Sequence, residues 1–99
     1  MKQDKKIIEM KNLGTEAEKD FLAAGISKAS QVTKMGAKKA FLKLLDGREK
    51  RGKPVDCCNA LYLYAIYGAI YDIDWRDIPK SKKKEFKEYT KKLRKEGKI

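Results

Sequence analysis

The chain has 99 residues, which is enough for one small domain with a single modest core and leaves no room for a second domain. Charged residues make up 39% of the chain and apolar residues 41%, and the apolar residues fall in blocks, which excludes a disordered chain and predicts a small, soluble, folded domain. The net charge of +11 is concentrated in residues 27–53 and 80–99, each of which sums to +7, so we expect an acidic partner, nucleic acid foremost.

The segment TEAEKDFLAAGI predicts the first helix. Thr15 and Glu18 have the T-x-x-E spacing of a capping box, in which the hydroxyl and the carboxylate each accept a hydrogen bond from a free amide of the first turn. We therefore expect the helix to begin at Thr15. At its other end, Gly25 is able to adopt the left-handed conformation that terminates helices, with Ile26 folding back onto the helix.

Two further helices are expected before residue 50. Ser27 is the predicted cap of a short second helix that runs to about Thr33, and KMGAKKAFLKLLDG predicts the third. An offset of 22 residues aligns Gly14 with Gly36 and aligns the terminating glycine of the first helix with the glycine of LLDG. This alignment suggests a degenerate pair of hairpin-plus-helix units.

The segment DGREKRGKP is rich in glycine, proline and basic residues and predicts an exposed loop. The following segment, DCCNALYLYAIYGAIYDI, is apolar nearly all round, as is typical of a central helix, and Asp56 is its predicted cap. Gly68 is expected to allow a close helix contact. The segment has four tyrosines, Tyr62, Tyr64, Tyr67 and Tyr71, and the last three have helical spacing. Aromatic stripes on such a helix favour core packing over base stacking.

The segment DWRDIPKS predicts a bend, and residues 80–96 predict a final basic helix. Phe86, Tyr89 and Leu93 form one narrow apolar stripe on this helix, while lysines cover the rest of its surface. The sequence therefore predicts an all-α domain, a compact bundle of about five short helices that spans residues 1–99.

Catalytic and metal-binding chemistry is poorly supported. The chain has no histidine, and its only cysteines, Cys57 and Cys58, are interpreted as small residues at the start of a buried helix rather than as a redox or metal pair. Asp72, Asp74 and Asp77 lack the spacing of a calcium-binding loop. We expect no metal, no cofactor, no enzymatic activity and no small-molecule substrate.

The predicted location is the cytoplasm. Reduced thiols are typical of that compartment, and the first residues lack the apolar run of a signal peptide. The longest apolar stretch, residues 57–73, is too short to span a bilayer, so no membrane association is expected.

Several uncommon spacings resemble the C-terminal domain of TfoX, the bacterial regulator of DNA-transformation competence. YAIYGAIYDIDWRDIP, from Tyr64 to Pro79, resembles its Y-A-L-x-G-A-L, tryptophan, L-P signature. NLGTEAEKDFLAAGI resembles its opening hairpin, KMGAKKAFLKL its G-A-x-x-A-x-x-x-L helix, and Asn59 its asparagine after the loop. The resemblance covers residues 7 to about 90.

This resemblance implies a helical fold similar to helix-hairpin-helix and sterile-alpha-motif-like domains. In full-length TfoX-like proteins the domain follows a separate N-terminal domain, and the pair acts in turning on competence genes. We expect this chain to be a stand-alone C-terminal domain. No catalytic residue of the family is available to carry over.

The first hairpin has the outline of a phosphate-binding G-h-G hairpin but the wrong charge. Asn12 stands at the first glycine position, where it is a tolerable left-handed substitute. Glu16 and Glu18 already supply the negative charge that a helix N-terminus attracts, so an incoming phosphate would be repelled. We interpret this hairpin as structural.

The second hairpin, KMGAKKA, is the better candidate for a phosphate contact. It has Lys34 at the first glycine position, Gly36 at the second, lysines at 38 and 39 and the small Ala40 four residues after Gly36. No acidic or hydroxyl residue caps its helix, so the first amides are open to an anion. Basic residues of the following loop would assist if that loop folds back to the same side. A solvated lysine face is an equally good explanation. The candidate nucleic-acid-binding residues are Lys34, Gly36, Lys38, Lys39, Arg48, Lys50 and Arg51.

Two functions follow from these patterns. The first is a non-enzymatic regulatory module that contacts the nucleic-acid backbone without base specificity. The second is a protein-interaction module or homo-oligomer of the sterile-alpha-motif-like type, in which acidic residues 16–20 and 72–77 would face basic blocks of a partner.

Overall fold

The computed structural model describes residues 4–99. It contains five α-helices and two short 3₁₀ turns, and the described residues form no strand beyond one isolated bridge between Lys6 and Lys28. The all-α prediction is confirmed. The helices are α1 Thr15–Ala23, α2 Ala29–Met35, α3 Ala37–Lys50, α4 Ala60–Tyr71 and α5 Lys80–Lys95, and the 3₁₀ turns are Ile7–Glu9 and Trp75–Asp77.

The helices pack around one core. Helix α3 contacts α1, α2 and α4, and α4 also contacts α5. Burial of one large apolar side chain stabilises the fold by roughly 1.5–3 kcal/mol, so the interior supplies the main driving force for folding. Its largest fully buried apolar side chains are Ile7, Phe21, Val32, Phe41, Leu44, Leu63, Ile66 and Phe86.

Helix α1 begins at the predicted residue but lacks the predicted capping box. Thr15 is its first helical residue, and the cap position is held by Gly14, which offers no side-chain hydrogen bond. The Glu18 carboxylate instead accepts from the main-chain N–H of Ile8, at 3.2 Å. The glutamate therefore ties the N-terminal 3₁₀ turn to α1.

The predicted end of α1 is confirmed. Gly25 has a φ of +85°, and the N–H of Ile26 donates to the carbonyl of Phe21 at 2.8 Å. This 6→1 bond is the mark of a Schellman motif. Ile26 is buried, so the turn also adds to the core.

Helix α2 starts one residue later and ends two residues later than predicted. It begins at Ala29, and Ser27 does not cap it. The side-chain oxygen of Gln31 accepts from the N–H groups of Ser27 and Lys28, at 2.9 and 3.0 Å. The bond expected of the serine is made by Asp4, whose carboxylate accepts from the first-turn N–H of Ser30 at 3.1 Å.

Gly47 does not begin a loop, as the sequence suggested, but lies inside α3. It is buried against α1, and a Cβ at this position would overlap the main-chain carbonyl of Asp20. The glycine is needed because the two helix backbones nearly touch here. Its counterpart in the proposed internal repeat, Gly25, terminates a helix, so the repeat is wrong at this position.

Helix α4 is capped by Asn59 rather than by Asp56. The Asn59 side-chain oxygen accepts from the N–H of Leu61 at 2.9 Å. Gly68 does allow a close approach, but its neighbours are the Ile73 carbonyl and the Asn12 amide group of two loops, not another helix.

The prediction that the tyrosines of α4 pack in the core is confirmed only in part. Tyr64 is buried, and its hydroxyl donates to the Lys83 carbonyl at 3.3 Å. Tyr62 and Tyr67 are half-buried, whereas Tyr71 is 61% exposed, so the core interpretation is wrong for that residue.

The last helix matches its prediction closely. Phe86 and Leu93 are buried and Tyr89 is half-buried, which confirms the narrow apolar stripe. Thr90 is also buried, and its hydroxyl donates to main-chain carbonyls of the preceding turn. The remaining surface of α5 offers its lysines to the outside.

Gly47→Ala should lower the free energy of unfolding by about 1–3 kcal/mol, because the added methyl group forces α1 and α3 apart. The gain in helix propensity of about 1 kcal/mol is too small to offset this strain. Chemical denaturation monitored by circular dichroism measures the change. Gly14→Ala adds the same methyl group where nothing lies within 4 Å of it, so it should lose less stability, at most about 1 kcal/mol from the change at the cap position. An unchanged or higher stability of Gly47→Ala would contradict the close approach.

Candidate functional site

The second hairpin is tighter than a G-h-G hairpin. Gly36 alone separates α2 from α3, with a φ of +83°, and Lys34 lies within α2 rather than in a turn. The Gly36 N–H donates to the Val32 carbonyl at 3.2 Å. No side chain caps the N-terminus of α3, so the first-turn amides that follow Gly36 point to an open surface, as the sequence predicted.

These amides open into a cleft between α3, α4 and α5. The cleft has a volume of about 350 Å³. Residues 35–39 of the hairpin form one wall, and side chains of α4 and α5 form the rest. The charged residues that line the cleft are Lys38, Lys39, Lys82 and Glu85.

Glu85 is the counter-ion of this cleft. Lys38 Nζ lies 3.0 Å from one of its carboxylate oxygens and Lys82 Nζ lies 3.3 Å from the other. Hydrogen bonds from Lys38 and then Lys82 lower the pKa of the Glu85 carboxyl. The two lysines also lie over tyrosine rings, which adds a cation–π attraction to each.

Lys34 and Lys39 complete the basic surface beside the cleft. Both are exposed, and within residues 4–99 neither forms an ion pair. They are therefore the cations of the second hairpin that an external anion reaches without breaking an internal contact.

The basic residues at the end of α3 do not join the hairpin. Arg48, Lys50 and Arg51 lie at the opposite end of the same helix, about 20 Å from Gly36 at 1.5 Å per residue. The prediction that they converge with the hairpin lysines is corrected by the length of α3. Lys50 instead pairs with Asp46, at 3.2 Å.

Both arginines bind a buried carboxylate. Asp20, which is 1% exposed, accepts from Arg48 at 3.3 Å and from Arg51. Arg48 also donates to the Pro54 carbonyl at 2.9 Å, and Arg51 pairs with Glu16 at 3.2 Å. The hydrogen bond to Asp20 raises the pKa of the Arg51 guanidinium. These side chains hold α1 against α3 and the following loop.

A sequence signal for this cluster existed. Glu16 and Asp20 are four residues apart on α1, and Arg48 and Arg51 are three residues apart near the end of α3, so each pair lies on one helix face. Opposite charges on facing stripes indicate an interhelical contact. The composition of the loop suggested a phosphate site instead because the helix was expected to end before Arg48.

The first hairpin has a structural role. Asn12 has a φ of +71°, which confirms the left-handed substitution. Its side-chain amide donates to the Ile73 carbonyl at 2.8 Å and to the Ala65 carbonyl at 3.3 Å, and its oxygen accepts from the Trp75 N–H at 3.2 Å. The asparagine thus fixes the segment after α4.

The exposed lysines of α5 form a second basic surface, which the sequence-based candidate residues did not include. Five lysines and one glutamate line a shallow groove along this helix, and their spacing of three or four residues places them on one face. They are Lys80, Lys83, Lys84, Lys87, Glu88 and Lys91.

The two free cysteines differ in exposure. Cys57 is exposed and Cys58 is fully buried, and burial raises the pKa of the Cys58 thiol to about 11. Both precede α4 rather than lie within it. Of the helices in the described part of the chain, none combines the length and apolar character needed to cross a bilayer.

Residues 3–90 match the model of the TfoX C-terminal domain family. The chain belongs to this family. A search of the curated proteins found no match. The resemblance expected from the YAIYGAIYDIDWRDIP segment is therefore confirmed, and it extends over most of this TfoX C-terminal domain chain.

Two solved structures are similar to this TfoX C-terminal domain chain. A triclinic crystal form of an uncharacterised protein from Listeria monocytogenes has a TM-score of 0.78 and 28% sequence identity, and the match covers 91% of this chain and 94% of that one. A tetragonal crystal form of a protein of unknown function from the same organism has a TM-score of 0.69 and 29% identity, with coverage of 83% and 92%.

Proposed function

We propose that this member of the TfoX C-terminal domain family is a non-enzymatic regulatory module that associates with nucleic acid through non-specific backbone contacts. The excess positive charge in residues 27–53 and 80–99 supports an anionic partner. The family takes its name from a competence regulator, which supports a regulatory role.

The observation that carries the proposal is the cleft at the N-terminus of α3. Open amides at a helix N-terminus attract anions, because they present unpaired donors and the positive end of the helix dipole. Lys38, Lys39 and Lys82 add positive charge around these amides. A phosphate that enters the cleft would replace Glu85 as the partner of Lys38 and Lys82.

The chemistry of the basic surfaces favours backbone contacts over base recognition. Base edges are read mainly by Arg, Asn and Gln side chains with a fixed geometry, whereas lysine acts as a mobile point charge. The exposed cations of the cleft and of α5 are lysines, apart from Arg94. Arg94 is already committed, because it donates to the carbonyls of Asp56 and Cys58 at 3.2 and 3.4 Å.

Charge reversal of Lys38 and Lys39 to glutamate should weaken binding to duplex DNA and flatten its salt dependence. Each lost phosphate contact reduces the slope of log K against log salt by about one. Titration by fluorescence anisotropy at several salt concentrations measures both quantities. Equal affinity of the double variant and the parent at low salt would show that the cleft is not the binding site.

The matched control uses single substitutions. Lys39→Glu and Lys53→Glu change the net charge equally and both side chains are exposed, but Lys53 lies beyond the far end of α3. The proposal requires the larger loss of affinity for Lys39→Glu. Equal losses would mean that DNA responds only to the overall charge.

Removal of the counter-ion gives a prediction of the opposite sign. Glu85→Gln should raise DNA affinity by roughly three- to tenfold, because it frees Lys38 and Lys82 and removes a charge that repels phosphate. Glu49→Gln removes the same charge from an exposed position at the far end of α3, outside the cleft and outside the basic surface of α5. If both variants bind DNA with the same affinity, phosphate does not enter the cleft.

A further inference from the structure

Two large apolar side chains lie on the surface outside the cleft at the N-terminus of α3. Leu61 is 49% exposed and Trp75 is 41% exposed. Both line the same two grooves, so they form a ridge between them. We refer to these two residues as the Leu61–Trp75 ridge.

The two sides of the ridge have different chemistry. On one side lies an apolar groove of about 460 Å³ that reaches down to the core and is lined chiefly by Leu13, Ala17, Leu44, Tyr62 and Ile66. On the other side lies a groove of about 470 Å³ whose cations are Arg76, Lys83, Lys87 and Lys91. The Leu61–Trp75 ridge thus separates an apolar groove from a basic groove.

The backbone beneath the ridge is fixed by side chains. Asn59 caps the first turn of α4 through the N–H of Leu61, and Asn12 accepts from the N–H of Trp75. The ridge is therefore held at the surface by two asparagines rather than left there by a loose loop. Clustered apolar side chains that a fold holds in water mark interaction surfaces.

The charge around the ridge selects the partner. Lys83, Lys87 and Lys91 are spaced by four residues on α5 and lie on one helix face. Asp74, which precedes Trp75 in the chain, is neutralised by Arg76, which contacts it at 3.0 Å and helps to lower the pKa of the Asp74 carboxyl to about 2. A partner that covers the ridge must therefore match an apolar groove and a row of positive charges.

We propose that the Leu61–Trp75 ridge docks an acidic amphipathic segment of another protein. Its apolar side chains would occupy the apolar groove, and its carboxylates would pair with the lysine row of α5. The ridge grooves have no lining residue in common with the cleft at the N-terminus of α3, which carries the nucleic-acid proposal, so the docking proposal does not rest on nucleic-acid binding.

A second copy of this chain is a poor occupant. Two chains of net charge +11 repel each other, and in the acidic segments 16–20 and 72–77 three acids, Glu16, Asp20 and Asp74, already hold internal ion pairs. The acids in ion pairs are Glu16, Asp20, Asp46, Asp74, Glu85 and Glu96. A nucleic-acid strand is also a poorer occupant than an acidic peptide. Bases of a single strand stack on aromatic side chains, whereas the apolar groove beside Trp75 is lined largely by aliphatic ones.

The single tryptophan makes the docking directly measurable. The probe is a fluorescein-labelled peptide of about 15 residues, with leucines at helical i, i+3, i+4 and i+7 spacing and glutamates at the remaining positions. We expect saturable binding by anisotropy and, with the unlabelled peptide, a blue shift of the Trp75 emission. Replacement of the leucines by serine, or of the glutamates by lysine, should weaken binding about tenfold or more.

Matched substitutions in the protein locate the site. Leu61→Ser should weaken peptide binding about tenfold, whereas Leu22→Ser, which alters a leucine that is 51% exposed on α1, should leave it unchanged. Lys87→Glu should likewise weaken binding more than Lys43→Glu, which makes the same charge change on α3. Circular dichroism checks that each variant is folded.

Three results would overturn the proposal. The first is absence of saturable peptide binding, and the second is equal affinity of the Leu61→Ser and Leu22→Ser variants. The third is a shift of the Trp75 emission by a single-stranded oligothymidine but not by the peptide, which would assign the ridge to nucleic acid. Loss of DNA binding in Lys39→Glu with peptide binding retained supports two separate surfaces.

Discussion

The buried carboxylate of Asp20 is the interaction on which the rest of the structure depends. It lies between α1 and α3, where Gly47 brings the two backbones together, and it is neutralised by Arg48 and Arg51. A buried carboxylate that loses its partner costs about 3–5 kcal/mol, so alignments of the two helices that separate these groups are disfavoured. The contact sets the register of α1 on α3, and α3 in turn carries α2 and α4.

This contact also divides the positive charge of the chain between folding and binding. The two arginines, whose planar groups suit a buried carboxylate, are committed to the interior. Lysines remain at the surface, at the N-terminus of α3 and along α5. A mobile, strongly hydrated lysine binds a phosphate or an acidic side chain without demanding one geometry. The proposed partners of both surfaces are accordingly acidic polymers recognised by charge, with the ridge adding apolar selectivity.

The features that could be predicted from the sequence are local ones. The start of α1 at Thr15, its termination by Gly25 and the apolar stripe of α5 each depend on residues within two turns of each other. The role of Gly47 could not be predicted, because a glycine in a turn and a glycine at a helix crossing look the same in one sequence. Asp56 was predicted as the cap in place of Asn59 for a related reason. Both polar residues precede α4, and the packing of the helix decides which of them stands at its first turn. At the candidate site, the absence of a capping residue in the sequence predicted the open amides of α3. The pairing of Glu85 with the cleft lysines, and of the arginines with Asp20, could not be predicted because these contacts join residues that are far apart in the sequence.

The division between structural arginines and binding lysines is tested most directly by comparing Arg51→Gln with Lys39→Gln, which remove the same charge. Denaturation gives the free energy of unfolding, and anisotropy at low salt gives the affinity for duplex DNA. Arg51→Gln should lose about 1–3 kcal/mol of stability, while the folded variant keeps its DNA affinity within about twofold. Lys39→Gln should keep its stability within about 0.5 kcal/mol and bind DNA several-fold more weakly. Weaker DNA binding by Arg51→Gln with unchanged stability would contradict the account.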